Sequence, residues 1–309
     1  MTEPGDGGPV GMRWVPPGEF TMGSDHDYRE ERPAHRERVD GFWMDVAPVT
    51  VAEFGRFVAA TGYLTTAEQT PDAVDYPDAD PALLVAGSLV FTPPPGPVPL
   101  DDPARWWSYV PGTCWRSPEG PGSTVDGLAE HPVVHVSLTD ARAYARWAGK
   151  ELATEAQWER AARGGRDGRR YAWGEELMPA GVPVANTWQG DFPWRSDDPD
   201  GFSRTSPVGH YPANPYGLVD LIGNVWEWTA SAATDSHGSS PSSCCAPNPA
   251  RAEAAAHPRN TIKGGSHLCA PEYCRRYRPA ARAAQEVDGS TSHLGFRCVS
   301  SHSEIAKQV

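Results

Sequence analysis

Short apolar runs broken by turn residues open the chain. Over 12–49, runs such as Met12-Arg13-Trp14-Val15 and Phe42-Trp43-Met44 alternate with turn-forming residues and predict strands. Thr50 with Glu53 makes a capping-box pattern, Val51, Phe54, Phe57 and Val58 share one helical face, and Gly62 stands where such a helix would stop. His131-Pro132-Val133-Val134-His135-Val136 reads as a strand. A helix is expected from about Thr139, with Ala141, Tyr144, Ala145 and Ala148 on one face ahead of Gly149. Thr154 with Gln157 caps a third helix that places Trp158, Ala161 and Ala162 together and ends at Gly164-Gly165. From Tyr171 onward no long helical period appears. The stretch 65–130 is rich in Pro, Asp and Gly yet carries Trp106, Trp107 and Trp115, which suggests an ordered insertion. The pattern predicts one mixed domain over 12–300 with little regular structure, a flexible segment 1–11 and a tail 301–309.

Composition supports a loop-rich globule. The 31 Gly and 32 Pro among 309 residues make about a fifth of the chain, against roughly 12 % in average usage, and 12 Trp supply rigid rings able to pin loops. With 27 basic and 40 acidic residues the formal charge is -13, which opposes nucleic acid and anionic membrane as partners and suits a cationic one. The first twelve residues hold no apolar stretch, so neither a secretory signal nor a spanning helix is expected, and a cytoplasmic monomer is the expected form. The six cysteines, at 114, 244, 245, 269, 274 and 298, are too few and too uneven for a disulfide scaffold. Reduced thiols with chemical uses are the alternative.

Five separated strings point further: Pro17-Gly18-Glu19-Phe20-Thr21-Met22-Gly23, Thr154-Glu155-Ala156-Gln157-Trp158-Glu159, Gly223-Asn224-Val225-Trp226-Glu227-Trp228, Lys263-Gly264-Gly265-Ser266 and Leu294-Gly295-Phe296-Arg297-Cys298. Together, and in this order, they resemble the formylglycine-generating sulfatase-modifying family. The resemblance implies a single loop-rich α+β domain distantly like C-type lectins. Cys269-Ala270-Pro271-Glu272-Tyr273-Cys274 resembles the two-cysteine motif of that family's oxidases.

Two thiolates are soft ligands that select Cu(I) or Zn(II). With no second cysteine pair at structural-zinc spacing, Cu(I), which accepts two ligands, is the better fit. The resemblance implies that Cys269 and Cys274 hold copper, that Ser266 and Tyr273 bond to oxygen species or position substrate, and that Trp226 walls the oxygen side. Arg276, within the basic run Arg275, Arg276, Arg278 and Arg282, would favour thiolate over thiol. The implied reaction uses O2 and a thiol reductant to convert a cysteine of an unfolded sulfatase segment, Cys-x-Pro-x-Arg in type, to formylglycine. The resemblance further implies structural Ca2+ at Asn186, Thr187, Asp200 and Phe202, and at Asp220, Gly223, Val225 and Glu227.

Ala270 and His293 depart from the histidine and asparagine common in the family at those positions, which bears on proton handling. Cys244-Cys245 receives no role, and Cys114 and Cys298 read as buried reduced thiols. His131 and His135 read as core or loop histidines. Two other functions share the scaffold. A nonhaem-iron sulfoxide synthase needs a His-x3-His-x-Glu helix, but Ser137 stands where its glutamate would be. A noncatalytic lectin-like binding module would need neither thiol.

Overall fold

The computed structural model describes residues 8–77, 79–238 and 258–301. Cys244, Cys245 and most of the two terminal segments lie outside the described residues. Among the described residues, three α-helices form where local capping chemistry asks for them. In α1 (Val51–Thr61) the Thr50 side chain accepts from the Glu53 N–H, Glu53 accepts from the Thr50 backbone, and Gly62 closes the helix at φ 68°. The third helix, α3 (Glu155–Arg163), repeats this with Thr154, Gln157 and Gly164. Between them, α2 (Leu138–Trp147) starts a residue before the sequence reading placed it, because Ser137 and Asp140 form a capping box of their own.

Two four-stranded sheets carry the rest of the frame. In the first, Met12–Val15, Phe42–Asp45, Cys298–Ser301 and Glu151–Leu152 pair antiparallel in that order. The second orders Arg282–Glu286, Arg259–Lys263, Trp226–Ala232 and Leu294–Gly295, the last pair parallel. Only Phe296 and Arg297 separate Leu294–Gly295 from Cys298–Ser301, so this dipeptide joins the two sheets. Phe296 is buried against Phe54 and Tyr144 from α1 and α2. Arg297, also buried, grips both oxygens of Glu227 at 2.7–3.0 Å and donates to the carbonyls of Asp45, Val46 and Val219. Trp158 of α3 donates to the same carboxylate at 2.7 Å. A buried carboxylate is tolerable only when paired in this way.

The expected insertion folds into an antiparallel hairpin, Gly87–Phe91 with Trp107–Pro111, which the sequence reading did not foresee. It contributes Phe91 and Trp106 to a second apolar cluster with Trp188, Phe192, Leu268 and Ala270.

His131–Val136 is not the strand expected of it. Beyond one isolated bridge at Pro132, its backbone bonds diverge, with Val133 N–H going to Val49 and His135 N–H to Thr291, and His135 adopts φ 59°. The histidine itself is a core residue, as expected. Its Nε2 lies 2.9 Å from the Pro118 carbonyl, which can only accept, so Nε2 carries the proton, and Nδ1 lies 2.8 Å from Ser88 Oγ. Burial pushes its pKa down to about 4. Because the folded value lies below the unfolded one of about 6.5, this stabilisation is complete above pH 6.5 and lost as pH falls towards 4. About 2 kcal/mol should disappear between pH 7 and 5. Denaturant unfolding at the two pH values checks this, and in a His135→Gln variant the pH slope should be shallower.

Candidate active site

Cys269 and Cys274 sit on a tight turn that follows Arg259–Lys263. Gly264 and Gly265 make the turn possible. Both have positive φ, and a Cβ on Gly265 would meet the Arg276 carbonyl at 2.8 Å and Cys269 Sγ at 3.1 Å. The backbone then closes in two steps, Cys269 N–H to Ser266 O at 2.9 Å and Cys274 N–H to Ala270 O at 2.9 Å. Glu272 anchors the turn from outside by accepting the Phe192 N–H at 2.9 Å.

This folding brings the two sulfurs to 3.0 Å. The distance exceeds the roughly 2.0 Å of a disulfide and suits a thiol donating to a thiolate. Burial raises the Cys269 thiol well above its ordinary value. Cys274 is lowered to about 6, first by the hydrogen bond from Cys269 and then, against its own burial, by the Arg276 charge. The directions of the two shifts favour Cys269 as the donor and Cys274 as the acceptor in this pair. Cys269 is 1 % exposed, whereas Cys274 is only half-buried, so solvent or a ligand reaches the pair from the Cys274 side.

Of the other expected residues, Ser266, Tyr273 and Arg276 lie in or beside the turn, and Trp226 is linked to it through His293. Ser266 is fully buried, and its Oγ lies 3.1 Å from His293 Nδ1 and accepts the Leu268 N–H at 3.2 Å. Trp226 is buried in the core, its backbone N–H donating to the His293 carbonyl at 2.8 Å. Tyr273 is 36 % exposed and stacks on Phe192 at 4.7 Å. Arg276 lies against the Tyr28 ring at 3.9 Å, pairs with Glu30 at 2.5 Å, and lines a cleft of about 550 Å³ with Glu30 and Asp235.

The remaining arginines of the basic run divide between structure and surface. Arg278 makes a two-pronged pair with Glu31 at 2.6 and 2.9 Å and meets Asp27 at 3.0 Å, while Arg282 pairs with Glu155 at 2.8 Å. Both are buried and structural; Arg275 is exposed. The clasp formed by Asp27, Tyr28, Glu30 and Glu31 was missed by sequence reasoning. Its signal was the acidic run opposite a basic one, but the partners are some 250 positions apart.

Of the residues expected to bind calcium, the first set shares a cavity, whereas in the second Asp220 and Glu227 are the two seen to act on each other. Asn186, Thr187, Asp200 and Phe202 line one small cavity of about 10 Å³, together with Asp198 and Ser196. Asn186 Nδ2 donates to the Arg204 carbonyl at 2.9 Å. A cavity of this size and oxygen content fits one hard ion. In the second set, Asp220 is buried and its pKa is raised to about 6, by burial and also by the neighbouring Glu227 charge. A cation beside Asp220 would reverse both effects, which fits the set. Glu227, already held by Arg297 and Trp158, could serve an ion only as a shared carboxylate. Cys114 and Cys298 are buried free thiols.

A loop-rich α+β frame with a paired-thiol turn at the end of its second sheet defines the class. The family described as the sulfatase-modifying factor enzyme 1-like domain matches residues 7–302, and the chain belongs to that family. It is 54 % identical to the formylglycine-generating enzyme of Mycobacterium tuberculosis over 289 residues, 92 % of this chain and 96 % of that protein. It is also 38 % identical over 303 residues to a Bos taurus protein named inactive C-alpha-formylglycine-generating enzyme 2, covering 96 % of this chain and 90 % of that one. Among solved structures, PvdO from Pseudomonas aeruginosa shares the fold, with a TM-score of 0.61 at 24 % identity over 93 % of each chain. No helix among the described residues is long and apolar enough to cross a membrane.

Proposed function

We propose that this protein converts a cysteine of a sulfatase polypeptide to Cα-formylglycine, using O2, a thiol reductant and a Cu(I) ion held by Cys269 and Cys274. The observation that carries this reading is the convergence of two thiols, one of them half-buried, to 3.0 Å. Two soft donors and an open side fit a monovalent soft ion. Bound there, Cu(I) would supply a low-coordinate centre for the substrate thiolate and for oxygen reduction.

The chain's own groups prepare that chemistry. Cys274 is held as thiolate and Cys269 supplies the second sulfur from a buried position. Arg276, itself fixed by Glu30 and Tyr28, keeps positive charge beside Cys274. Tyr273, on its aromatic stack, forms the exposed rim where an extended peptide would lie. Buried Ser266 and Trp226 close the inner side against bulk water.

Two hydrogens leave the substrate, one from Cβ and one from sulfur, to give a thioaldehyde, and two further electrons and protons come from the thiol reductant. O2 leaves as two waters, and hydrolysis of the thioaldehyde releases the aldehyde and hydrogen sulfide. A sulfatase segment of the Cys-x-Pro-x-Arg type is the proposed substrate, its arginine suited to a protein of charge -13.

Anaerobic Cu(I) titration against a coloured chelator should show one tightly held ion per chain, and failure to compete with the chelator would remove the copper assignment. The sulfoxide synthase reading loses support because both His135 nitrogens are already hydrogen-bonded in the core. Structural Ca2+ at the two oxygen-rich sets is part of the same proposal. Chelating calcium should lower the melting temperature by several degrees, since an ion bound only to the folded state stabilises it by mass action. An unchanged melting curve with excess chelator would contradict both sites.

A further inference from the structure

The contact between Ser266 and His293 assigns a role that the thiol pair does not require. The Ser266 hydroxyl is buried, has one proton to give, and already accepts the Leu268 N–H at 3.2 Å. Among the described residues, its other hydrogen-bond partner is His293 Nδ1 at 3.1 Å. Were Nδ1 to carry the proton, the serine O–H would be left buried with no acceptor, at a cost of about 1–3 kcal/mol. The hydroxyl therefore donates to Nδ1, and the imidazole proton sits on Nε2.

His293 is held firmly enough to impose this. Its carbonyl takes the Trp226 backbone N–H at 2.8 Å, and its ring meets Trp107 of the insertion hairpin in a T-shaped contact at 4.8 Å. Burial, with His267 and His135 nearby, pushes its pKa down to about 3, so it is a poor store for a proton. An imidazole in this state orients its neighbour and does not act as its base.

We infer that His293 is a positioning residue which fixes the Ser266 hydroxyl, so that Ser266 offers the thiol turn beside it a spare lone pair and no free proton, as an acceptor only. The inference rests on the formylglycine reading for its consequence in turnover, but the hydrogen-bond direction can be tested without it. Nitrogen-15 NMR of the histidine-labelled, metal-free chain should show His293 neutral between about pH 5 and 8, with Nδ1 unprotonated. In Ser266→Ala the Nδ1 resonance should move. A protonated Nδ1, or a titration within that range, overturns the inference.

Kinetics supply the second arm. His293→Ala should lower kcat on a cysteine peptide roughly tenfold with KM little changed, the worth of one oriented hydrogen bond. His293→Asn, whose amide oxygen can stand near the Nδ1 position, should restore most of that loss, whereas His293→Gln should not. Ser266→Ala with His293→Ala should be no slower than Ser266→Ala alone. Full activity in His293→Ala, or losses that multiply in the double variant, would contradict the role. Absence of product even from the unaltered chain would instead overturn the formylglycine reading, leaving the NMR result to decide the hydrogen bond.

Discussion

Replacing Cys269 or Cys274 with serine should abolish high-affinity Cu(I) binding and lower turnover of a cysteine peptide by at least about a hundredfold, while the fold survives. Losing even an outer partner of a metal ligand costs roughly ten- to a hundredfold in affinity or activity, and a hard hydroxyl in place of one of only two soft ligands should cost more. The two variants should not behave alike in stability. Cys269 is wholly enclosed, so serine there buries a hydroxyl with a new demand for a partner, whereas Cys274 is half-buried and should tolerate the change. Circular dichroism and melting curves separate lost chemistry from lost structure. Copper retained at full stoichiometry in both variants would refute the ligand roles.

Arg297→Met should destabilise the fold more than either cysteine replacement. It removes the guanidinium that grips Glu227 through three contacts at 2.7–3.0 Å and spans the joint between the two sheets through three backbone carbonyls. Among the described residues Glu227 would then keep only the Trp158 N–H as a protein partner, and an undercompensated buried carboxylate costs on the order of 3–5 kcal/mol in the calcium-free protein. Urea unfolding measures the loss. Adding Glu227→Gln to Arg297→Met should recover part of it, because the stranded charge disappears. If Arg297→Met unfolds at the same midpoint as the unaltered chain, the joint is not held by this pair.

The parts of this structure that were legible in the sequence are those whose chemistry is local. A capping box needs only residues three apart, so α1 and α3 could be placed to the residue, and the glycines at their ends say where the backbone turns left-handed. The family strings were legible too, and the structure explains why they read so clearly. Glu159 of one string accepts from Lys263 of another at 2.9 Å and from Gly23 of a third at 2.9 Å, so distant motifs meet in one buried network.

What escaped was set by contacts remote in sequence. The His131–Val136 stretch has the composition of a strand, but its hydrogen-bond partners lie in two different segments, and nothing in the stretch itself records that. The hairpin over 87–111 closes through a long Pro-rich loop and lacks a short turn signal. For the basic run, the sequence could expect at least one structural arginine but not say which; Asp27 and Glu31 take up Arg278, Glu155 takes up Arg282, and Glu30 pairs with Arg276. Arg276 remains the one of these paired arginines placed beside Cys274.

Turnover by this protein depends on the thiol pair doing oxidative chemistry on a peptide cysteine. Mass spectrometry of a Cys-x-Pro-x-Arg peptide incubated with the Cu(I)-loaded protein, oxygen and a thiol reductant is the most direct test. The expected product has lost its sulfur, gained an oxygen and forms an adduct with an aldehyde-capturing hydrazide. A peptide recovered unchanged, from protein shown to carry its copper, would contradict the account.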